Sequence, residues 1–197
     1  MSRVRWHRVR SGLLAGLMLL CQAGHAAPFS IDQLMDNLAK QPQRAATFTE
    51  KKTLSLLDQP VESSGELRFI APTYLEKRTL KPKPETMVLD GDRLILERGR
   101  RKRVLQVGDY PEVGGMVESI RATLAGDRKA LERVYHLALS GDPERWTLTL
   151  TPLDARVGAL VARITIEGVK DAVRSVEILQ PDGDRSVMTI DRLASQR

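Results

Sequence analysis

Apolar and polar residues alternate almost without a break from Ser64 to Leu96, in SGELRFIAPTYLEKRTLKPKPETMVLDGDRLIL. A period of two marks strands with one buried face. GELRFIA sets Leu67 and Phe69 on one side, Glu66 and Arg68 on the other. Pro72 interrupts, YLEKRTL follows, and KPKPE reads as a loop, because proline cannot pair inside a central strand. TMVLD and RLILE flank Asp90-Gly91, a hairpin turn signal, and RKRVLQV continues the sheet. Upstream, ATFTEKKTLSLL carries the same period with a bend or bulge. Downstream, YHLALS, RWTLTLTP, VARITIEG, AVRSVEILQ and RSVMTIDRL resume it. In RWTLTLTP, Trp146, Leu148 and Leu150 face one way and the threonines the other.

Two stretches are helical instead. In PFSIDQLMDNLAK, Ser30 and Gln33 form a capping box, and Phe29 and Leu34 are spaced for a hydrophobic staple. Ile31, Leu34, Met35 and Leu38 then share one face. In PEVGGMVESIRATLAG, Val113, Met116, Val117, Ile120 and Leu124 lie on one face and Gly126 supplies the stop. Asp127 caps a second short helix, DRKALERV. The order is one helix, about six strands, a helical interruption and about five strands. Short connections imply antiparallel neighbours. A sheet of this many strands curls or closes, with the apolar helices available to cover its concave side.

The start of the chain lies outside this pattern. MSRVRWHRVR is a basic n-region, SGLLAGLMLLCQAG a short apolar run, and GHAAP a small-residue cleavage site. This predicts a signal peptide over residues 1–26, cut after Ala26, and one domain over 27–197. The only cysteine, Cys21, lies in the leader and follows Leu20 rather than the small residue a lipid-attachment site needs. The expected mature chain therefore has no disulfide or thiolate chemistry. The leader also carries Arg3, Arg5, Arg8 and Arg10. Without them 31 − 4 = 27 basic residues face 25 acidic ones, so the net charge falls from +6 to +2. That balance does not point to nucleic acid. RGRRKR, Arg98 to Arg103, is the remaining basic run and reads as a solvated hairpin tip, the alternative being a docking patch.

Reactive chemistry is sparse. His136 is the only histidine beyond the leader and has no ligand companions, so no metal site is expected. No GxSxG, GxGxxG or phosphate-binding loop is present. The two DGDR segments, Asp90 to Arg93 and Asp182 to Arg185, read as turns rather than calcium loops. Neither a catalytic residue nor a cofactor is expected. Aromatics make up only 4% of the chain, too few for a site that stacks sugars or flat rings. The inward positions carry Leu, Ile, Val and Met, which suit flexible acyl chains or simply a packed core.

Phe48-Thr49-Glu50-Lys51, the stretch GELRFIAPTYLEKRTLKPKPETMVLDGDRLIL, and YHLALSGDPERWTLTLTP together resemble the LolA-type outer-membrane lipoprotein carrier family. The motifs are individually short; their order and spacing over residues 28 to 193 carry the resemblance. It implies an α+β fold, an incomplete, unclosed antiparallel β-barrel of about 11 strands with a helical lid over its apolar concave face. It also implies a periplasmic carrier that works without covalent chemistry: acylated lipoprotein or lipid cargo comes from an inner-membrane transporter and goes to an outer-membrane acceptor. A monomer is expected. The expected cavity lining is Leu67, Phe69, Leu75, Met87, Leu89, Leu94, Leu96, Trp146, Leu148, Leu150, Ile164 and Ile166. The expected lid residues are Ile31, Leu34, Met35, Leu38, Met116, Ile120 and Leu124. A lipid-sensing regulatory module of the envelope, similar to RseB, is the alternative. One departure stands out: family members place an arginine before the strand-ending proline, where it tethers the lid, and this chain has Ala71 before Pro72.

Overall fold

The computed structural model describes residues 28–192; the expected leader and its cleavage site lie outside the described residues. Helix α1 (Ile31–Ala39) precedes six strands: β1 (Gln43–Thr53), β2 (Val61–Ile70), β3 (Tyr74–Lys81), β4 (Glu85–Asp90), β5 (Arg93–Arg98) and β6 (Arg101–Gln106). A short 3-10 turn leads into α2 (Pro111–Ala125) and α3 (Arg128–Glu132). Then come β7 (Tyr135–Asp142), β8 (Arg145–Pro152), a one-turn helix α4 (Ala155–Gly158), β9 (Arg163–Val169), β10 (Ala172–Leu179) and β11 (Arg185–Arg192). The strands form one antiparallel sheet in the order β6-β5-β4-β3-β2-β1-β11-β10-β9-β8-β7. β6 and β7 are its two edges and do not pair, so the barrel is unclosed, as the sequence leads one to expect.

Local chemistry explains where the helices begin and end. The Ser30 hydroxyl accepts from the Gln33 amide at 3.2 Å, and the Gln33 side chain accepts from the Ser30 amide at 3.0 Å. These reciprocal bonds satisfy two otherwise orphaned donors of α1. Asp127 caps α3 by accepting from the Ala130 amide at 2.9 Å. α2 ends at Gly126, whose φ of 71° is left-handed. A Cβ there would also lie 2.4 Å from the Met35 carbonyl oxygen of α1, so glycine serves both the turn and the close approach of the two helices. The helix α4 was not expected from the pattern. It is a single turn capped by Asp154, whose carboxylate accepts from the Arg156 amide at 2.7 Å, and it is too short to show a period.

The registers set the faces. Leu67 stands opposite Lys77, which stands opposite Met87, which stands opposite Leu96. Leu139, Leu148, Ile166, Val176 and Met188 are aligned in the same way across β7 to β11. All of these point to the concave side that the helices cover. Trp146, Leu148, Leu150, Ile164 and Ile166 form the main core with Leu34, Met35 and Leu38 of α1. Trp146 is fully buried over Gly168, where a Cβ would come within 2.1 Å of the indole, and its Nε1 donates to the Lys170 carbonyl at 2.9 Å. Phe69, Leu75, Leu89 and Val117 form a second core under α2.

Candidate functional site

Between α2 and the concave sheet lies a cavity of about 910 Å³. Its apolar wall is built from four groups of residues. β2 and β3 give Leu67, Phe69 and Leu75, and β4 gives Met87. The far strands give Ile166, Val176, Ile178, Met188 and Ile190, and α2 closes the top with Met116, Val117, Ile120 and Leu124. α2 also buries two hydroxyls without leaving them unpaired, and of the two Thr123 borders the cavity. Ser119 Oγ donates to the Met116 carbonyl and Thr123 Oγ1 to the Ser119 carbonyl, both at 2.7 Å.

The expected lining residues divide into two sets. Leu67, Phe69, Leu75, Met87 and Ile166 border the cavity. Leu89 and Leu94 are buried under α2 instead, and Leu96, partly buried, stands opposite Met87 without bordering the cavity. Trp146, Leu148, Leu150 and Ile164 are fully buried in packed core and do not border it either. Of the expected lid residues, Met116, Ile120 and Leu124 face the cavity. Leu34, Met35 and Leu38 are core, with Ile31 packed against them. Thus α2 is the element over the cavity and α1 anchors the β7–β9 side. Val176, Ile178, Met188 and Ile190 were not singled out from the sequence. Around Met188 the chain reads Val187-Met188-Thr189-Ile190, apolar at both parities, so alternation alone does not choose a face.

His136 lies on the opposite, outer side of β7, exposed and opposite Thr151. The turns at Gly91 and Gly183, with φ of 60° and 92°, account for both DGDR segments. The basic run Arg98 to Arg103 forms the β5–β6 hairpin and the start of the edge strand, where charge discourages pairing with another chain.

The arginine tether missing at Ala71 has a substitute one strand away. Arg44, on β1 opposite Phe69, lies over the Phe69 ring at 5.8 Å from its centroid. Its Nη1 donates to the Leu124 carbonyl at 2.7 Å and its Nη2 to the Leu38 carbonyl. One guanidinium therefore joins the C-terminal turns of α1 and α2, where the carbonyl ends of both helix dipoles favour a cation.

A charged group also sits on the cavity wall. Glu50, 6% exposed, accepts from Lys77 Nζ at 2.5 Å, from Ser186 Oγ at 2.7 Å and from Ser63 Oγ at 3.2 Å. Lys52 stands 3.6 Å away, and Lys77 lies over the Phe48 ring, 4.9 Å from its centroid. Burial pushes the Glu50 carboxyl up, but Lys77, then Ser186 and Lys52, outweigh it and hold the group below its ordinary value of 4.5. Burial pushes the Lys77 ammonium down, against the opposing pull of Glu50. A carboxyl lowered by folding stabilises the fold above its ordinary value, and this contribution is lost as pH falls through the lowered one. Lys77→Met strands the Glu50 charge. The expected loss is about 2 kcal/mol, below the 3–5 typical of a broken buried pair, because both serines and Lys52 remain. Adding Glu50→Gln should recover most of it. Urea unfolding at pH 7 measures both changes, and an additive double variant would show that the pair is uncoupled.

A comparison with curated proteins finds no match. Solved structures of similar shape include three described here. A LolA superfamily protein from Nitrosomonas europaea is 9% identical, with a TM-score of 0.44, over 86% of this chain and 96% of that one. A putative outer membrane lipoprotein-sorting protein domain from Vibrio parahaemolyticus is 11% identical, with a TM-score of 0.46, over 85% and 92%. The Pseudomonas aeruginosa MucA/MucB complex matches at 13% identity with a TM-score of 0.46, over 83% of this chain and 56% of that one. The family model described as outer membrane lipoprotein carrier protein LolA-like matches residues 23–194, nearly the whole chain including every strand, and to that family this chain belongs.

Proposed function

We propose that the protein is a periplasmic carrier that holds the acyl chains of a lipoprotein or lipid in its cavity and ferries them from the inner to the outer membrane. The observation that carries this reading is the cavity itself. It lies at the upper end of the 300–1,000 Å³ usual for ligand sites, and apart from Phe69 its apolar wall is aliphatic and methionine side chains that adapt to a flexible chain. Membership of the carrier family supports it, as does the position of α2 over the cavity. In this reading nothing is cut or joined, an inner-membrane transporter loads the cargo, an outer-membrane acceptor removes it, and the leader directs export. Among the described residues no helix is long and apolar enough to cross a membrane.

Native mass spectrometry of protein purified from periplasm without detergent tests cargo binding, and an acylated bound mass is the expected result. Movement of a fluorescent acyl lipid between two vesicle populations tests carriage. The transfer rate should rise in proportion to protein concentration. Tight binding without transfer would favour the sensing module, and an empty protein that takes up no acylated molecule would remove both readings.

A further inference from the structure

The cavity is not apolar along its whole length. The inward positions fall into rows across the sheet. Nearest α2 the row is Arg44, Phe69, Leu75 and Leu89. The next is Ala46, Leu67, Lys77 and Met87. The third is Phe48, Gly65, Thr79, Glu85 and Arg98. Beyond it stand Glu50 with Ser63, then Lys52 with Val61. The two rows nearest α2 each carry one cation among apolar residues, whereas the farther rows bring in Thr79, Glu85, Arg98, Glu50, Ser63 and Lys52. Along β1 the wall opens at its last step, from Glu50 at 6% exposed to the Lys52 side chain at 47%.

At this open end Lys52, Lys77, Lys83, Arg98 and Arg185 border the same cavity as the aliphatic wall. Two carboxylates border it there, Glu50 and Glu85, while the cavity's other carboxylate, Asp171 in the β9–β10 turn, lies toward the opposite end of the strands. Glu177, paired with Arg185 at 2.5 Å, adds a third. Five cations against three carboxylates leave an excess of two. Lys52 and Lys77 lean on the one carboxylate of Glu50, and Lys83 makes no ion pair among the described residues. Cations fixed at the rim of an apolar cleft concentrate positive potential at its opening. They also form strong, short hydrogen bonds to oxyanions.

We propose that this end binds the oxyanion head, phosphate or carboxylate, of an amphiphile whose acyl tail lies under α2. The proposal rests on the acyl-cavity reading above and adds the polarity and orientation of the ligand: tail toward Phe69 and Leu75, head toward Lys52 and Lys83.

Calorimetric titration with single-chain probes below their micelle concentrations separates the two readings. Dodecyl phosphate, dodecylphosphocholine and dodecyltrimethylammonium share one tail and differ in head charge; inorganic phosphate has no tail. Dodecyl phosphate should bind at least about tenfold more tightly than dodecyltrimethylammonium, a difference of about 1.4 kcal/mol. The variant Lys52→Gln/Lys83→Glu changes two exposed side chains and should erase that preference, while a melting curve shows the fold unchanged. Equal affinity for the anionic and cationic probes, or a preference that survives the variant, overturns the head site and leaves the acyl cavity standing. Inorganic phosphate binding as tightly as dodecyl phosphate overturns it in favour of a free-anion site. If no probe binds, both readings fall.

Discussion

Changing Leu67 to glutamate is expected to weaken acyl-chain binding by at least about 100-fold while the protein stays folded. Leu67 is only partly buried and borders the cavity, so the new carboxylate enters open volume where it can be hydrated rather than packed core. Lys77, directly opposite on β3, gives it a counter-ion. An acyl chain entering the cavity must strip that hydration. Burying a polar group without full compensation costs about 2–7 kcal/mol, and about 2.8 kcal/mol already corresponds to the stated factor. Displacement of a fluorescent fatty acid measures the binding, and a melting curve checks the fold. Leu148→Glu would give no such separation. Leu148 is fully buried in the core against α1, and a charge there unfolds the protein rather than emptying a site. Normal binding by a folded Leu67→Glu variant would place the acyl chain elsewhere.

The second large effect concerns Arg44. Arg44→Met keeps the stem over Phe69 but removes both bonds to the helix ends. Each charge-assisted bond contributes about 1.5–3 kcal/mol, so a loss of about 3 kcal/mol in stability is expected. The loss should be concentrated at the C-terminal turns of α1 and α2. Hydrogen exchange around Leu38 and Leu124 should therefore rise more than exchange in β8 and β9, whose core is untouched. Arg44→Lys should rescue only part of this, since a single ammonium cannot span two carbonyls as the planar fork does. Uniform acceleration across the sheet, or none, would show that the helices are held by packing alone.

The fold was largely legible in the sequence, and the reasons are particular. Leu67, Phe69, Leu148 and Leu150 alternate with charged or hydroxyl residues, so parity fixes their face. Ser30 and Gln33, then Gly126 and Asp127, mark helix ends by their own hydrogen bonds. The cavity was less legible, because parity says only that a side chain points inward. Whether it then meets α1, as Leu148 does, or open volume, as Met87 does, depends on where the helices land, a tertiary matter. The charged end was missed for a related reason. Glu50 and Lys52 share the parity of Phe48, a signal present in FTEKK, but charged residues invite an outward reading until a partner is known. Lys77, 27 positions away, is that partner. Arg44 was hidden likewise: its role comes from its neighbour Phe69 across the β1–β2 ladder, not from a motif along the chain.

The missing ladder between β6 and β7 has a mechanical consequence. In a closed ring, girth is fixed by strand number and stagger, and widening it breaks backbone hydrogen bonds. Here the seam lets the sheet uncoil slightly, as a split collar does, with every existing ladder intact. Girth is then set by how tightly side chains grip what lies inside. In the proposed carrier role, guests of different bulk would be held at a similar backbone cost, and release would require the collar to relax rather than any strand to part.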